Sequence, residues 1–149
     1  MQILDGGVWE SNYNDENRGE FQFKNRAKQI ISFKGIQYGK ITPTDIDALI
    51  EFRGKAMILY EVKHNKAKVP PGQWNALKEL TDMGERDGKE AACLVCEHNV
   101  DNPKDIVYLK DCIVRCVYYR GKITTIKKRI TVEEATDKFM KKVGGEKAC

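Results

Sequence analysis

Residues 42–64 read TPTDIDALIEFRGKAMILYEVKH, and this stretch decides the fold. Thr44–Phe52 is β-branched and apolar with alternation, and Ala56–Lys63 repeats the pattern. Both read as strands. Arg53-Gly54 lies between them as a short hairpin connection, with the glycine free to take positive φ. Asp45 and Asp47 are two apart on the first strand and share a face, as do Glu61 and Lys63 on the second. Counted back from the turn, Asp47 and Glu61 lie at similar distances on either side, which makes them cross-strand neighbours. Three carboxylates and one ammonium thus converge at one end of an otherwise apolar hairpin.

The rest of the chain supplies the layers around that hairpin. Gly19 to Phe33 reads as a helix with Phe23, Ala27, Ile30 and Ile31 as its buried stripe, and Glu20 near that inner face. Ile36–Ile41 is a candidate strand ahead of the hairpin. After Val69-Pro70-Pro71-Gly72, a helix runs from Gln73 to about Met83, with Trp74, Leu77, Leu80 and Met83 facing inward. Glu90–Cys96, Ile106–Leu109, Cys112–Tyr119 and Lys122–Ile126 read as strands, the last two joined at Arg120-Gly121. Thr131-Val132-Glu133-Glu134 is a capping box that opens the last helix, with Val132, Ala135, Phe139 and Val143 as its apolar stripe. Helix, strands, helix, strands, helix is the order of an α/β fold with a central mixed sheet flanked by helices. One domain over residues 18–143 is expected, after a polar arm at 1–17 and before a frayed tail at 144–149.

Composition bounds the function. In 149 residues, 41% are hydrophobic and 32% charged, which excludes disorder, collagen and coiled coil. Neither of the longest apolar runs, Ala56–Tyr60 and Ala91–Cys96, approaches a membrane span, so no membrane partner is expected. The N-terminus shows no basic segment ahead of an apolar run, so no secretory signal is expected. Five cysteines then read as reduced thiols in the cytoplasm. A net charge of +4 permits a nucleic-acid partner without demanding one. Cys93-x2-Cys96 and Cys112-x3-Cys116 have zinc-like spacing, but both pairs fall in strands, and Cys93 and Cys96 point to opposite faces. They read as structural thiols. His98 receives no role, Trp74 reads as core, and Lys127-Lys128-Arg129 reads as a solvated loop.

The carboxylate cluster is costly without a purpose, because like charges opposite one another destabilise a sheet. A divalent cation relieves the repulsion. Mg²⁺ takes oxygen ligands and uses only one or two carboxylates, so Asp47, Glu61 and the Val62 carbonyl suffice. The bland reading of the same residues is an exposed strand face with a Lys–Glu pair.

Pro and Asp entering a strand, a Gly-containing turn, and an apolar run closed by Glu61-Val62-Lys63 resemble the PD-(D/E)xK nuclease superfamily. The resemblance covers about Glu20 to Cys96 and is to the superfamily's resolvase-like, VRR-type or phage restriction-like nucleases. It implies a restriction-endonuclease-like core, Mg²⁺ or Mn²⁺ as cofactor, and hydrolysis of DNA phosphodiester bonds. Residue by residue, Asp47 matches the metal-binding Asp, Glu61 the second acidic ligand and Lys63 the catalytic Lys. Asp45 follows Pro43-Thr44 and looks like the motif's Asp, but it stands 16 residues before Glu61 where Asp47 stands 14. The shorter spacing fits a two-residue turn, so Asp47 is taken as ligand and Asp45 as auxiliary. Gln73 matches the glutamine that resolvase-like members carry on the next helix, and Glu20 the acid on the first.

His64, Lys66 and Lys68 leave the second strand directly and are candidate contacts to a DNA backbone. The small size suggests a structure-selective or broadly acting enzyme of phage or recombination type. It covers little DNA, which suggests a homodimer. A second reading is a catalytically inactive nucleic-acid-binding module on the same fold; the complete Asp, Glu and Lys set argues against it. A third, a zinc-ribbon-like adaptor, would carry one tightly bound zinc.

Overall fold

The computed structural model describes residues 30–145. The chain divides into two compact units, Met1–Thr42 and Pro43–Cys149. In the first, two sequence expectations fail. Residues 30–33 are not helical, and Ile30 and Ile31 are exposed rather than buried. A turn closed by Ile36 N–H donating to the Phe33 carbonyl takes over there. Nor is Ile36–Ile41 a strand. Tyr38 and Ile41 exchange backbone hydrogen bonds of 2.9 and 3.0 Å around Gly39-Lys40. Gly39 has φ +63, a value that a chain reversal of this kind needs and a strand does not tolerate. The remainder of the expected first helix, Glu20 included, lies outside the described residues.

The second unit is an α/β fold. Strands β1 (Ala48–Phe52), β2 (Ala56–His64), β3 (Glu90–His98), β4 (Ile113–Tyr119) and β5 (Lys122–Thr125) lie in that order in one five-stranded sheet. Helices α1 (Pro71–Arg86) and α2 (Val132–Lys142) flank it. β2 and β3 are parallel and every other pair is antiparallel. Parallel neighbours need a long crossover, and α1 provides it.

The two faces of the sheet follow the strand alternation. Ile58, Tyr60, Ala92, Leu94, Cys96 and Val114 pack with Val132 of α2. Leu59, Cys93 and Tyr118 pack with Leu77 of α1, and Trp74, Leu80 and Met57 border them. Trp74 is therefore core-facing, as its spacing predicts. Met83 is not: it is exposed, and Thr81 and Gly84 take the inner positions after Leu77. The helix lies close to the sheet there. A Cβ on Gly84 would sit 3.2 Å from that of Ala91 and against the Met57 sulfur, so a side chain at this position would push the layers apart.

Several boundaries also differ. α1 starts at Pro71, two residues before Gln73, because a proline at the first helical position lacks only an N–H that would be unpaired anyway. Ile106–Leu109 is not a strand; Ile106 and Tyr108 are exposed, and a 3-10 turn, Leu109–Asp111, begins at its end. The β1–β2 connection has three residues, Arg53–Lys55, rather than two. The β4–β5 turn is Arg120-Gly121, as read from sequence. At α2 the Thr131 hydroxyl accepts from Glu134 N–H at 3.2 Å. The return half of the capping box differs: the Glu134 carboxylate meets the Thr131 hydroxyl, also at 3.2 Å.

Candidate active site at the end of the hairpin

Only Ala48–Phe52 of the expected first strand pairs in the sheet, so Asp45 and Asp47 lie in the irregular segment that leads into β1. The last ladder pair at that end is Ala48 with Tyr60. One step further, Asp47 stands beside Glu61. Backbone pairing has stopped here, and the side chain replaces it: Asp47 Oδ2 accepts from Val62 N–H at 2.7 Å. In an antiparallel strand a residue's N–H and C=O point to the same side. The Val62 carbonyl therefore faces the gap that Asp47 occupies, with no backbone donor from β1 across from it.

Glu61 and Lys63 project from β2 on the side covered by α1, because they alternate with Val62 and share the face of Leu59. Glu61 is 1% exposed, one of two buried polar side chains among the described residues. Its Oε1 pairs with Lys63 Nζ at 2.8 Å. Its Oε2 accepts from Gln73 Nε2 at 3.1 Å. Gln73, on the first turn of α1, is the hub of the group. The same amide reaches Asp45 Oδ1 at 3.4 Å, and its Oε1 lies 3.4 Å from Lys63 Nζ. Of the residues named by the sequence pattern, Asp45, Glu61, Lys63 and Gln73 thus form one connected cluster, and Asp47 adjoins it through its bond to Val62 N–H and its charge effect on Glu61.

The electrostatics follow from the burial. Loss of water raises the Glu61 pKa above the usual carboxylate range, the Lys63 hydrogen bond lowers it, and the Asp47 charge raises it further. Repulsion between the two carboxylates is therefore present, and desolvation outweighs it. A carboxylate this buried is high in energy when ionised, and it is tolerated because each oxygen has a donor.

The donor set suits a hard cation in its chemistry. All its groups are oxygens: the Asp47 and Glu61 carboxylates, the Asp45 carboxylate and the Val62 carbonyl. One Asp47 oxygen is free of partners among the described residues. No group of three or more His, Cys, Asp or Glu side chains is arranged as a ready cage among these residues. Mg²⁺ does not need one, since it keeps most of its waters and takes one or two carboxylates. The oxygen donors are of the kind such an ion takes, and both Glu61 oxygens already accept, from Lys63 and Gln73.

His64, the last residue of β2, bonds Asp101 Oδ1 through Nε2 at 3.0 Å, and its ring lies 5.1 Å from that of His98. Lys66 and Lys68 are exposed and unpaired among the described residues. Sequence reasoning missed Arg115. It is the extra residue at the β-bulge where the β3–β4 register shifts between Val95 and Cys96. Its guanidinium donates to the Ala67 carbonyl at 2.8 Å and so pins the segment leaving β2. A bulge has no sequence signature here.

Among the described residues the cysteines form no metal-binding group. Cys93 lies in the core on the α1 side, Cys96 and Cys112 in the core on the α2 side. Burial pushes the Cys93 thiol up to about 12 and raises those of Cys96, Cys112 and Cys116. Protonated buried thiols are poor metal ligands. No helix among the described residues is long and apolar enough to cross a membrane.

No family model, curated protein or solved structure matches this chain.

Proposed function

We propose that this protein is a Mg²⁺- or Mn²⁺-dependent nuclease that hydrolyses DNA phosphodiester bonds, with a PD-(D/E)xK-type arrangement of Asp47, Glu61 and Lys63. The observation that carries the reading is the buried Glu61 carboxylate, paired with Lys63 and Gln73 beside an exposed Asp47 at the open end of a hairpin. A merely structural ion pair on a strand gains little and costs desolvation. A carboxylate kept ionisable, buried and next to a second carboxylate is the arrangement in which perturbed acids cluster at functional sites.

In this reading Asp47, Glu61 and the Val62 carbonyl hold the ion, which supplies polarisation of the phosphate and activation of a bound water. Lys63 provides positive charge next to the phosphorus, where charge develops as the water oxygen adds and the P–O bond to the leaving group breaks. Gln73 sets the positions of Glu61 and Lys63 relative to each other. Asp45 is a positioning residue through its contact with Gln73.

Incubation of the protein with linear, circular and branched DNA, with EDTA, Mg²⁺ or Mn²⁺, tests the reading. Metal-dependent cleavage that Asp47→Asn abolishes is the expected result. Asn can still accept from Val62 N–H, so the fold is retained. Cleavage unchanged in Asp47→Asn, or DNA binding without cleavage under every metal condition, overturns the nuclease reading; the second result favours the binding module.

A further inference from the structure

The carboxyl ends of β2 and β3, the only parallel pair among the described residues, border a second feature. A cleft of about 560 Å³ lies there, lined by none of Asp45, Asp47, Glu61, Lys63 and Gln73. Its volume is that of a small-ligand site. Its walls combine an aromatic ring, unpaired cations and free carboxamides. Tyr108 is half exposed, and its phenol has no partner among the described residues. Lys66 and Arg129 line the cleft without an ion-pair partner among the described residues, while the two carboxylates of the lining, Glu97 and Asp111, face Arg115 at 3.8 Å and Lys110 at 3.3 Å. Asn65 and Asn99 present carboxamides that bond nothing else among the described residues. His98 Nδ1 accepts from Val100 N–H at 3.1 Å, which leaves Nε2 as the donor.

These are the complements of a nucleotide: a face to stack on, hydrogen-bonding groups for a base edge, and two cations for phosphate. A free amino acid or peptide would need a paired acid and base, and the acids here are already engaged. A lipid would need an enclosed apolar tunnel, and this cleft is open and carries four charged side chains, Lys66, Glu97, Asp111 and Arg129. Lys66 stands three residues after Lys63, so the backbones of the two positions are at most about 11 Å apart. Lys66 follows the same end of β2 that carries Lys63.

We infer that the Tyr108–Arg129 cleft holds one nucleotide of single-stranded DNA, its base stacked on Tyr108 and its phosphate between Lys66 and Arg129. The inference deepens the nuclease reading and rests on it for the ligand class. It assigns the enzyme a substrate with an unpaired nucleotide near the cut, because a base cannot stack on Tyr108 while paired in a duplex.

The probe is a fluorescent deoxythymidine oligonucleotide, with anisotropy read in EDTA so that no catalysis intervenes. Tyr108→Ala should weaken binding roughly 5- to 150-fold, the range of one lost base stack, and Tyr108→Phe should bind like the parent. An abasic oligonucleotide of equal length should bind the parent as weakly as the base-bearing one binds Tyr108→Ala. The Lys66→Ala, Arg129→Ala double variant should flatten the slope of log K against log salt by about 1.4. Equal affinity for parent and Tyr108→Ala, or an unchanged salt slope, overturns the cleft as a nucleotide site, even where Asp47-dependent cleavage stands. Tyr108-dependent binding in a protein that never cleaves leaves the cleft standing and removes the nuclease reading. No binding of either oligonucleotide removes the cleft proposal outright.

Discussion

Replacing Glu61 with Gln isolates the cost of its charge. The side chain is 1% exposed, with Lys63 at 2.8 Å on one oxygen and Gln73 at 3.1 Å on the other. Gln keeps the shape and one acceptor. Its new NH₂ faces a donor, so one charge-assisted contact, worth about 1.5–3 kcal/mol, is lost. Against this stands the desolvation of a buried carboxylate, several kcal/mol. Lys63 is 20% exposed and turns to water when its partner is gone. In EDTA at pH 7.5 the variant should therefore be more stable than the parent by about 1 kcal/mol, a Tm rise of roughly 2–6 °C for a fold of this size. The pH dependence has a definite sign. The folded pKa of Glu61 lies above its ordinary 4.5, so the protonated form favours folding. That contribution is full below the unfolded pKa and is lost as pH rises through the folded one. The margin of Glu61→Gln over the parent should vanish near pH 3.5 and open as pH rises. Saturating Mg²⁺ at about 100 times Kd should add about 2.7 kcal/mol to the parent and nothing to the variant, reversing their order. Urea unfolding followed by circular dichroism, at both pH values and with EDTA or Mg²⁺, measures all of this. A variant less stable than the parent in EDTA at pH 7.5 would refute the electrostatic argument, and an order that Mg²⁺ does not reverse would refute the metal site.

Three further outcomes are expected. Lys63→Ala should still bind Mn²⁺ by calorimetry while cleavage falls about 10²- to 10³-fold, as expected for a lost electrostatic stabiliser; it should also lose stability, because buried Glu61 keeps one partner fewer. Cys93→Ser with Cys96→Ser should leave metal content unchanged by elemental analysis and cost about 1–3 kcal/mol per buried hydroxyl in urea unfolding; stoichiometric zinc lost on this double substitution would contradict the opposite-face placement. Leu77→Ala should cost about 3–5 kcal/mol, since Leu77 is fully buried between α1 and the sheet; a loss under 1 kcal/mol would mean that α1 is not packed as described.

Much of the site was legible because strand period and hairpin register are local rules. Glu61 and Lys63 share a face by alternation alone, and Asp47 meets Glu61 because both count outward from the same turn. The three-residue connection instead of two did not spoil this, since the pairing of Phe52 with Ala56 carries the register regardless of loop type. Gln73 was legible from helix position but not as a hub, because its partners lie on two other segments, β2 and the stretch before β1. Ile106–Leu109 was misread because its apolar residues match a strand pattern, yet this segment borders a cleft and pairs with no strand. Met83 was misread in the same way: helical spacing marks a stripe, but the width of that stripe depends on how closely the helix lies on the sheet, which Gly84 decides.

The sequence by itself determined the hairpin, the crossover helix, the capped last helix and the identity of the clustered charges, because periodicity, turn chemistry and caps act over a few residues. Only the tertiary structure decided that Glu61 is buried while Asp47 is exposed, because burial is set by α1 closing over one side of β2 and by β1 ending at Ala48. It also decided that the loops after β2 and β3, the segment around Tyr108 and the turn holding Arg129 line one cleft. These segments are far apart in the chain, and no local rule brings them together; the parallel pairing of β2 with β3 and the bridge of Ile113 with Thr131 do.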